Sequence, residues 1–140
     1  MLLNVSYKNF KVTERINNEV GKPFNLWDRL RLKGTGSPRL LITSASLHIR
    51  NLLLLDNSPN NCNIELRPKG IIIRFRSLLE TYALIIPYYK LSLYKGNSTE
   101  YSIHRDHYFI KVESKTNEIH EFMRKILKKR SDSSSHLFDS

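Results

Sequence analysis

Between residues 39 and 113 the sequence consists of short runs in which apolar and polar residues alternate, and turn-forming residues end each run. In the clearest run, residues 70–76, the two faces of a strand would carry Ile71, Ile73 and Phe75 on one side and Ile72, Arg74 and Arg76 on the other. Alternation recurs at residues 89–94 and 108–112, and turn chemistry lies at residues 56–61, 67–70, 95–98 and 104–107. Because no helical segment is required between the runs, the pattern predicts successive antiparallel strands.

The C-terminal part of the chain predicts a single amphipathic helix over residues 115–129. Its apolar residues recur at helical spacing and form one stripe, namely Ile119, Phe122, Met123, Ile126 and Leu127. Ser114 or Thr116 is the expected N-cap. The expected fold class is therefore mainly β with a C-terminal α-helix whose apolar stripe is buried. Residues 131–140 are rich in serine and are predicted to be a disordered tail.

Residues 1–38 show no single hydrophobic period, and we interpret them as a basic N-terminal extension of uncertain structure. A short helix is expected around residues 25–32, and residues 33–38 have the composition of a loop. The predicted organisation is thus an extension (1–38), a β-domain (39–130) and a tail (131–140).

Residues 63–73 run as a strand, a turn containing Gly70 and a second strand, and residues 84–91 follow with an Ile86-Pro87-Tyr88 segment. This arrangement resembles bacterial pleckstrin-homology-like (PH-like, GRAM-type) domains over about residues 39–130. The resemblance implies an antiparallel β-barrel or sandwich of two near-orthogonal sheets, capped by one amphipathic helix.

The same resemblance suggests an anion-binding site at Lys69, Arg74 and Arg76, because family members that bind phosphoinositides carry a lysine followed by an Arg/Lys-x-Arg pair. Here Lys69 stands only five residues before Arg74, at the start of the same strand, whereas in the family a hairpin loop separates them. Specific inositol-phosphate recognition is therefore not expected. The alternative, that Arg74 and Arg76 form the solvated face of a strand, stays open.

Lys and Arg total 23 against 13 Asp and Glu, so the net charge is +10, with nine basic and three acidic residues in positions 1–55. This excess favours anionic partners in general. The single cysteine, Cys62, allows no intramolecular disulfide, and no apolar stretch approaches the length of a membrane span. We expect a cytoplasmic protein without a transmembrane segment.

No catalytic residue, metal site or cofactor is predicted. His104-Arg105-Asp106 matches the start of a kinase catalytic loop, but Lys111 stands where that motif needs Asn and no glycine-rich phosphate loop precedes it. His104 and His107 could serve as two ligands of a metal ion, but the sequence offers no third ligand to complete a site.

The leading hypothesis is a non-enzymatic PH-like interaction or assembly module. Its expected partner is another protein or a second copy, bound through an edge strand or the basic N-terminal segment. The alternative is binding to nucleic acid or to an anionic membrane surface. Nucleic acid is considered because basic residues accompany a group of aromatic ones, namely Tyr82, Tyr88, Tyr89, Tyr94, Tyr101, Tyr108 and Phe109.

Overall fold

The computed structural model describes residues 1–55, 60–97 and 99–138, with side chains described as far as residue 133. The strands are β1 (Leu2–Asn4), β2 (Leu40–Ala45), β3 (Asn61–Arg67), β4 (Gly70–Ser77), β5 (Glu80–Pro87), β6 (Ser92–Lys95), β7 (Glu100–Arg105) and β8 (Tyr108–Glu113). The α-helices are α1 (Phe10–Val20), α2 (Leu26–Arg31), α3 (Leu47–Leu54) and α4 (Asn117–Phe138). A single 3₁₀ turn spans Tyr88–Lys90.

All strands pair antiparallel in one sheet of order β1-β5-β4-β3-β2-β8-β7-β6. Strands β2 to β5 form one meander and β6 to β8 a second. Strand β2 joins the two, because Leu40 and Leu41 pair with β3 whereas Ile42 to Ala45 pair with β8 across a register shift. The expectation of a mainly β chain with a C-terminal helix is confirmed. The sheet does not close into a barrel, because its edge strands β1 and β6 do not pair with each other within the described residues.

Two parts of the β region differ from the sequence prediction. A helix, α3, separates β2 from β3, because Ser46 occupies its N-cap position and Ile49 and Leu53 lie one turn apart on its buried side. The strand predicted over residues 89–94 is shortened, since the 3₁₀ turn takes its first residues. The predicted turn at residues 56–61 lies mostly outside the described residues.

The main core lies on the inner face of the sheet, and α4 contributes to it directly. Its buried stripe consists of Ile119, Phe122, Met123 and Ile126. Leu127, expected in the same stripe, is 38% exposed because it lies at the margin of that contact. The helix also continues through Phe138, where a disordered tail was expected; no Gly or Pro interrupts residues 131–138, and serine weakens a helix only modestly. Residues 139 and 140 of that tail lie outside the described residues.

The N-terminal segment is part of the fold, since β1 adds a strand to β5 and α1 covers the outer face of the sheet. Ile16 and Val20 of α1 form a second buried cluster with Ile72, Ala83 and Ile85. The Asn9 side chain caps α1 by accepting from the amides of Lys11 and Val12. The short helix expected around residues 25–32 is present as α2.

Gly70 stands where α1, β4 and β5 approach most closely. A Cβ atom at this position would lie 2.3 Å from the Ile86 carbonyl oxygen and 2.6 Å from Cγ1 of Val20. Neither neighbour can withdraw easily, because one is backbone within the sheet and the other is buried.

Phe122→Ala is expected to lower the free energy of unfolding by about 3–5 kcal/mol, because the ring is buried in the main core. Urea denaturation measures the change. Leu127→Ala is the control on the same helix and should cost less than about 1 kcal/mol. Equal losses in the two variants would mean that α4 is not anchored through its stripe.

Gly70→Ala is expected to cost about 3 kcal/mol or more, because its methyl group would displace strand backbone. Gly36→Ala serves as the control, since a Cβ atom there meets nothing within 4 Å. Thermal melts of both variants test the expectation. A Gly70→Ala variant with the melting temperature of the wild type would contradict it.

Candidate anion-binding cleft

The outer face of the sheet changes character along β4. Helix α1 covers the half that contains Ile72, Arg74 lies at the margin of α1, and Arg76 beyond it is exposed. An open cleft of about 780 Å³ lies there, which we name the arginine cleft. Its lining residues are Ser37, Arg39, Asn60, Asn61, Cys62, Asn63, Arg74, Phe75, Arg76, Leu78, Leu79 and Thr81.

Strand register brings the arginines of the cleft together. Arg74 pairs with Asn63 of β3, and Arg39 directly precedes Leu40, whose partner is Cys62. Because side chains alternate along each strand and neighbouring strands lie about 5 Å apart, Arg39, Asn63 and Arg74 form a row across the sheet. Arg76 lies two residues further along β4, opposite Thr81 of β5.

One carboxylate decides how much of this positive charge is free. Glu65 accepts from Arg67 Nε at 2.5 Å and from Arg74 Nη1 at 2.7 Å. Burial alone would raise the pKa of Glu65, but the hydrogen bonds from Arg67 and Arg74 outweigh it and hold the pKa below its usual value. Arg74 is thus partly neutralised. Arg39 and Arg76 form no ion pair within the described part of the chain.

Glu65 is the counter-charge of the buried Arg67. The Arg67 side chain is buried beneath α1 and donates to Asn17 Oδ1 at 3.1 Å and to the Gly21 carbonyl at 2.9 Å. A buried guanidinium needs a counter-charge, which Glu65 supplies. The Glu65–Arg67 pair therefore belongs to the packing of α1 and not to the cleft.

The turn between β4 and β5 ends in two exposed leucines, which we name the leucine turn (Leu78 and Leu79). Ser77 and Glu80 pair across it, so the loop has two residues. Leu78 has φ 57° in a position that favours glycine, and Leu79 is 88% exposed. A bond from Ser77 Oγ to the Leu52 carbonyl brings the end of α3 alongside, where Leu54 and Leu55 are also exposed.

The structure brings two of the three predicted anion-binding residues into one cleft and separates the third. Arg74 and Arg76 line the arginine cleft, whereas Lys69 lies in the turn at the other end of β4. There it lines a different cavity together with Pro68, Tyr88 and Tyr89. Arg39 was missed because only the β2–β3 register places it beside Arg74.

The other residues considered for chemistry, Cys62, His104 and His107, are buried or pack against neighbouring side chains. Cys62 is buried, which raises the pKa of its thiol to about 12 and keeps it protonated at neutral pH. The His104 ring contacts Ser102 Oγ at 2.5 Å and stacks on Phe109, whereas His107 lies against Tyr108. Among the described residues, no three His, Cys, Asp or Glu side chains converge as a metal site would require.

Arg105, the middle residue of the kinase-like triplet, has a packing role. It is buried and donates from Nη1 to the Ile85 carbonyl at 2.5 Å, while Nη2 lies 3.9 Å from Glu19 Oε1 of α1.

The tyrosines considered for base stacking divide between core and surface. Tyr88 and Tyr101 are buried, Tyr82 and Tyr108 pack against the core, and Tyr89 and Tyr94 are well exposed. The two exposed rings lie on different segments, one in the 3₁₀ turn and one in β6.

In comparisons with known proteins, no family model, curated protein or solved structure matches the chain. Within the described residues, no helix is both long enough and apolar enough to cross a bilayer. The function is therefore inferred from the geometry.

Glu65→Gln is expected to lower the free energy of unfolding by about 3 kcal/mol at pH 7, because Arg67 stays buried without a counter-charge. The pKa of Glu65 is lowered in the folded protein, so its contribution is present at neutral pH and is lost on acidification. Urea denaturation should therefore show the variant approaching the wild type as the pH falls below about 4.5.

Glu121→Gln, an exposed change on α4, should alter stability by less than about 0.5 kcal/mol. A Glu65→Gln variant as stable as this control at pH 7 would contradict the assigned role.

Proposed function

We propose that the chain is a non-enzymatic PH-like interaction module that docks onto lipid bilayers containing anionic phospholipid. The contact surface is the arginine cleft together with the leucine turn. The observation that carries the proposal is the position of Arg39 and Arg76, which form no ion pair among the described residues, beside the exposed Leu78 and Leu79.

The order of elements supports the PH-like part of the proposal. Two antiparallel meanders follow each other and join at β2, and the C-terminal helix packs its apolar stripe into the core between them. The strand order and the terminal helix agree with the resemblance, whereas the closed barrel or pair of near-orthogonal sheets that it also implies is replaced by one open sheet.

The chemistry of the surface supports a bilayer as the partner. Arginine beside an acidic leaflet contributes about 1 kcal/mol per residue, so Arg39 and Arg76 together contribute about 2 kcal/mol, whereas Glu65 partly neutralises Arg74. Leu78 and Leu79 can enter the boundary between headgroups and acyl chains, adding about 2 kcal/mol when partly buried. A total of about 4 kcal/mol corresponds to a dissociation constant of about 1 mM, so binding is weak and sensitive to salt.

The same surface is expected to respond to charge density rather than to one headgroup. Specific recognition needs several donors converging on a rigid site, and Glu65 already occupies a guanidinium nitrogen of Arg74. Arg39 and Arg76 are exposed, and neither side chain has a hydrogen-bond partner among the described residues that would fix its orientation.

The experiment is vesicle co-sedimentation of the full chain with phosphatidylcholine vesicles containing 30% phosphatidylserine, at low and physiological salt. An Arg39→Gln, Arg76→Gln variant is expected to bind about thirtyfold more weakly, because two contacts of about 1 kcal/mol are lost. The matched control is Arg124→Gln, Lys128→Gln, which removes the same charge from the exposed side of α4. Leu79→Ser should also weaken binding without changing net charge.

Three outcomes would reject the proposal. If the control pair loses as much affinity as the cleft pair, the attraction comes from net charge alone. If a single-stranded DNA oligonucleotide displaces the protein from vesicles and depends on the same arginines, the cleft is a nucleic-acid site instead. Equal binding to vesicles without phosphatidylserine would remove the role assigned to the arginines.

A further inference from the structure

Helix α2 carries its apolar side chains on the outside of the molecule. None of its residues is buried, and Leu26, Trp27 and Leu30 are 69%, 73% and 64% exposed. Leu30 follows Leu26 by four positions and Trp27 by three, so the three side chains form one surface. We name this surface the α2 face. Exposed apolar groups that share one side of a helix are typical of contact surfaces.

The helix is held in place by contacts at both ends. The Asn25 side chain caps it by accepting from the Asp28 amide, and the Gly34 amide donates to the Arg29 carbonyl at 2.9 Å. Lys125 Nζ of α4 then reaches the Lys33 carbonyl at 3.3 Å. A helix of six residues is not stable by itself in water, so these caps and the contact with α4 support it.

A cavity of about 880 Å³ with aromatic side chains in its lining lies beside α2. Phe24, two residues before the helix, forms its wall together with Pro68, Tyr88 and Tyr89. Its lining carries both signs of charge, with Glu19 and Asp132 acidic and Lys69 and Lys129 basic. The chain thus presents a tryptophan-bearing projection and an aromatic recess next to each other.

We infer that the α2 face of one copy packs into this cavity of a second copy, and the reverse, in a twofold dimer. A projection and a recess that are neighbours can satisfy each other reciprocally about one axis, which closes the assembly at two copies. Arg29 and Arg31 on α2 would then lie near Glu19 and Asp132 of the partner. Trp and Arg are the residues that most often dominate such contacts.

The dimer leaves the arginine cleft free. The residues before and after α2 lie near the Gly70 end of β4. Phe24, before the helix, lines a cavity with Pro68, and the carbonyl of Thr35, after the helix, accepts from the Leu66 amide. The cleft lies toward the Ser77 end, where Arg74 and Arg76 are roughly 13 Å and 20 Å from Gly70 at about 3.3 Å per strand residue. Self-association and docking to a bilayer therefore use different surfaces and are independently testable.

Size and charge set the expected strength of the dimer. Three exposed side chains and one cavity make less than the ~800 Å² per partner of a standard interface, so a dissociation constant of about 10–100 µM is expected. Two copies that each carry a net charge of +10 repel each other. Raising the salt concentration screens this repulsion and should strengthen the dimer, whereas it weakens binding to vesicles.

The test is sedimentation equilibrium of the full chain up to about 200 µM, combined with fluorescence of Trp27, which is the only tryptophan. The expected result is a monomer–dimer equilibrium in which Trp27 emission shifts to the blue and acrylamide quenching falls as concentration rises. Trp27→Ser and Tyr89→Ser should each weaken dimerisation at least about tenfold, because each removes an exposed aromatic contact. Tyr94→Ser, an exposed tyrosine on β6, is the matched control and should have no effect.

A mixing experiment tests reciprocity. The Trp27→Ser copy keeps its cavity and the Tyr89→Ser copy keeps its tryptophan, so an equimolar mixture should dimerise better than either variant alone. A chain that stays monomeric at about 200 µM, or a dimer unaffected by Trp27→Ser, overturns the inference. If the monomer instead shows a blue shift only with anionic vesicles, the α2 face contacts the bilayer and the dimer is rejected.

Discussion

The sheet is buried on both faces along half of β4 and β5, and the rest of the structure depends on this constraint. Residues 71–73 and 84–86 are consecutive apolar residues, so one side of each strand enters the main core while Ile72 and Ile85 point away from it. Burial of these outer side chains requires a second layer. Helix α1 supplies that layer, which is why the N-terminal residues belong to the fold and why only glycine fits at position 70.

The arginine cleft exists because this second layer ends. On the outer face of β4 the residues change from Ile72 under α1 to Arg74 at its margin and Arg76 beyond it. The buried Arg67 then determines the charge of the cleft indirectly, because it requires Glu65 and Glu65 also binds Arg74. The packing of α1 and the charge available for an anionic surface are therefore linked through one carboxylate.

Two segments depart from the local rules that the rest of the chain follows. Leucines occupy a two-residue turn where glycine or asparagine is favoured, and α2 directs its apolar face to solvent. Neither choice benefits an isolated chain, since each exposes apolar surface and the first also requires a positive φ. They lie toward opposite ends of β4, which fits a module with one end for a bilayer and the other for a second copy.

The sequence by itself determined the local structure: the alternation of residues 70–76 and 108–112, the turns between strands, and the stripe of α4 follow from short-range periodicity and turn chemistry. It also determined that α2 forms, although not which way its apolar face points. The tertiary structure decided the role of residues 1–38, the presence of α3, the exposure of Leu127 and the separation of Lys69 from Arg74. It alone placed Arg39 beside Arg74 and showed that Glu65 partly neutralises that arginine. The physical reason is that burial and ion pairing depend on which strands become neighbours, and strand pairing joins residues far apart in sequence through interactions that no local pattern encodes.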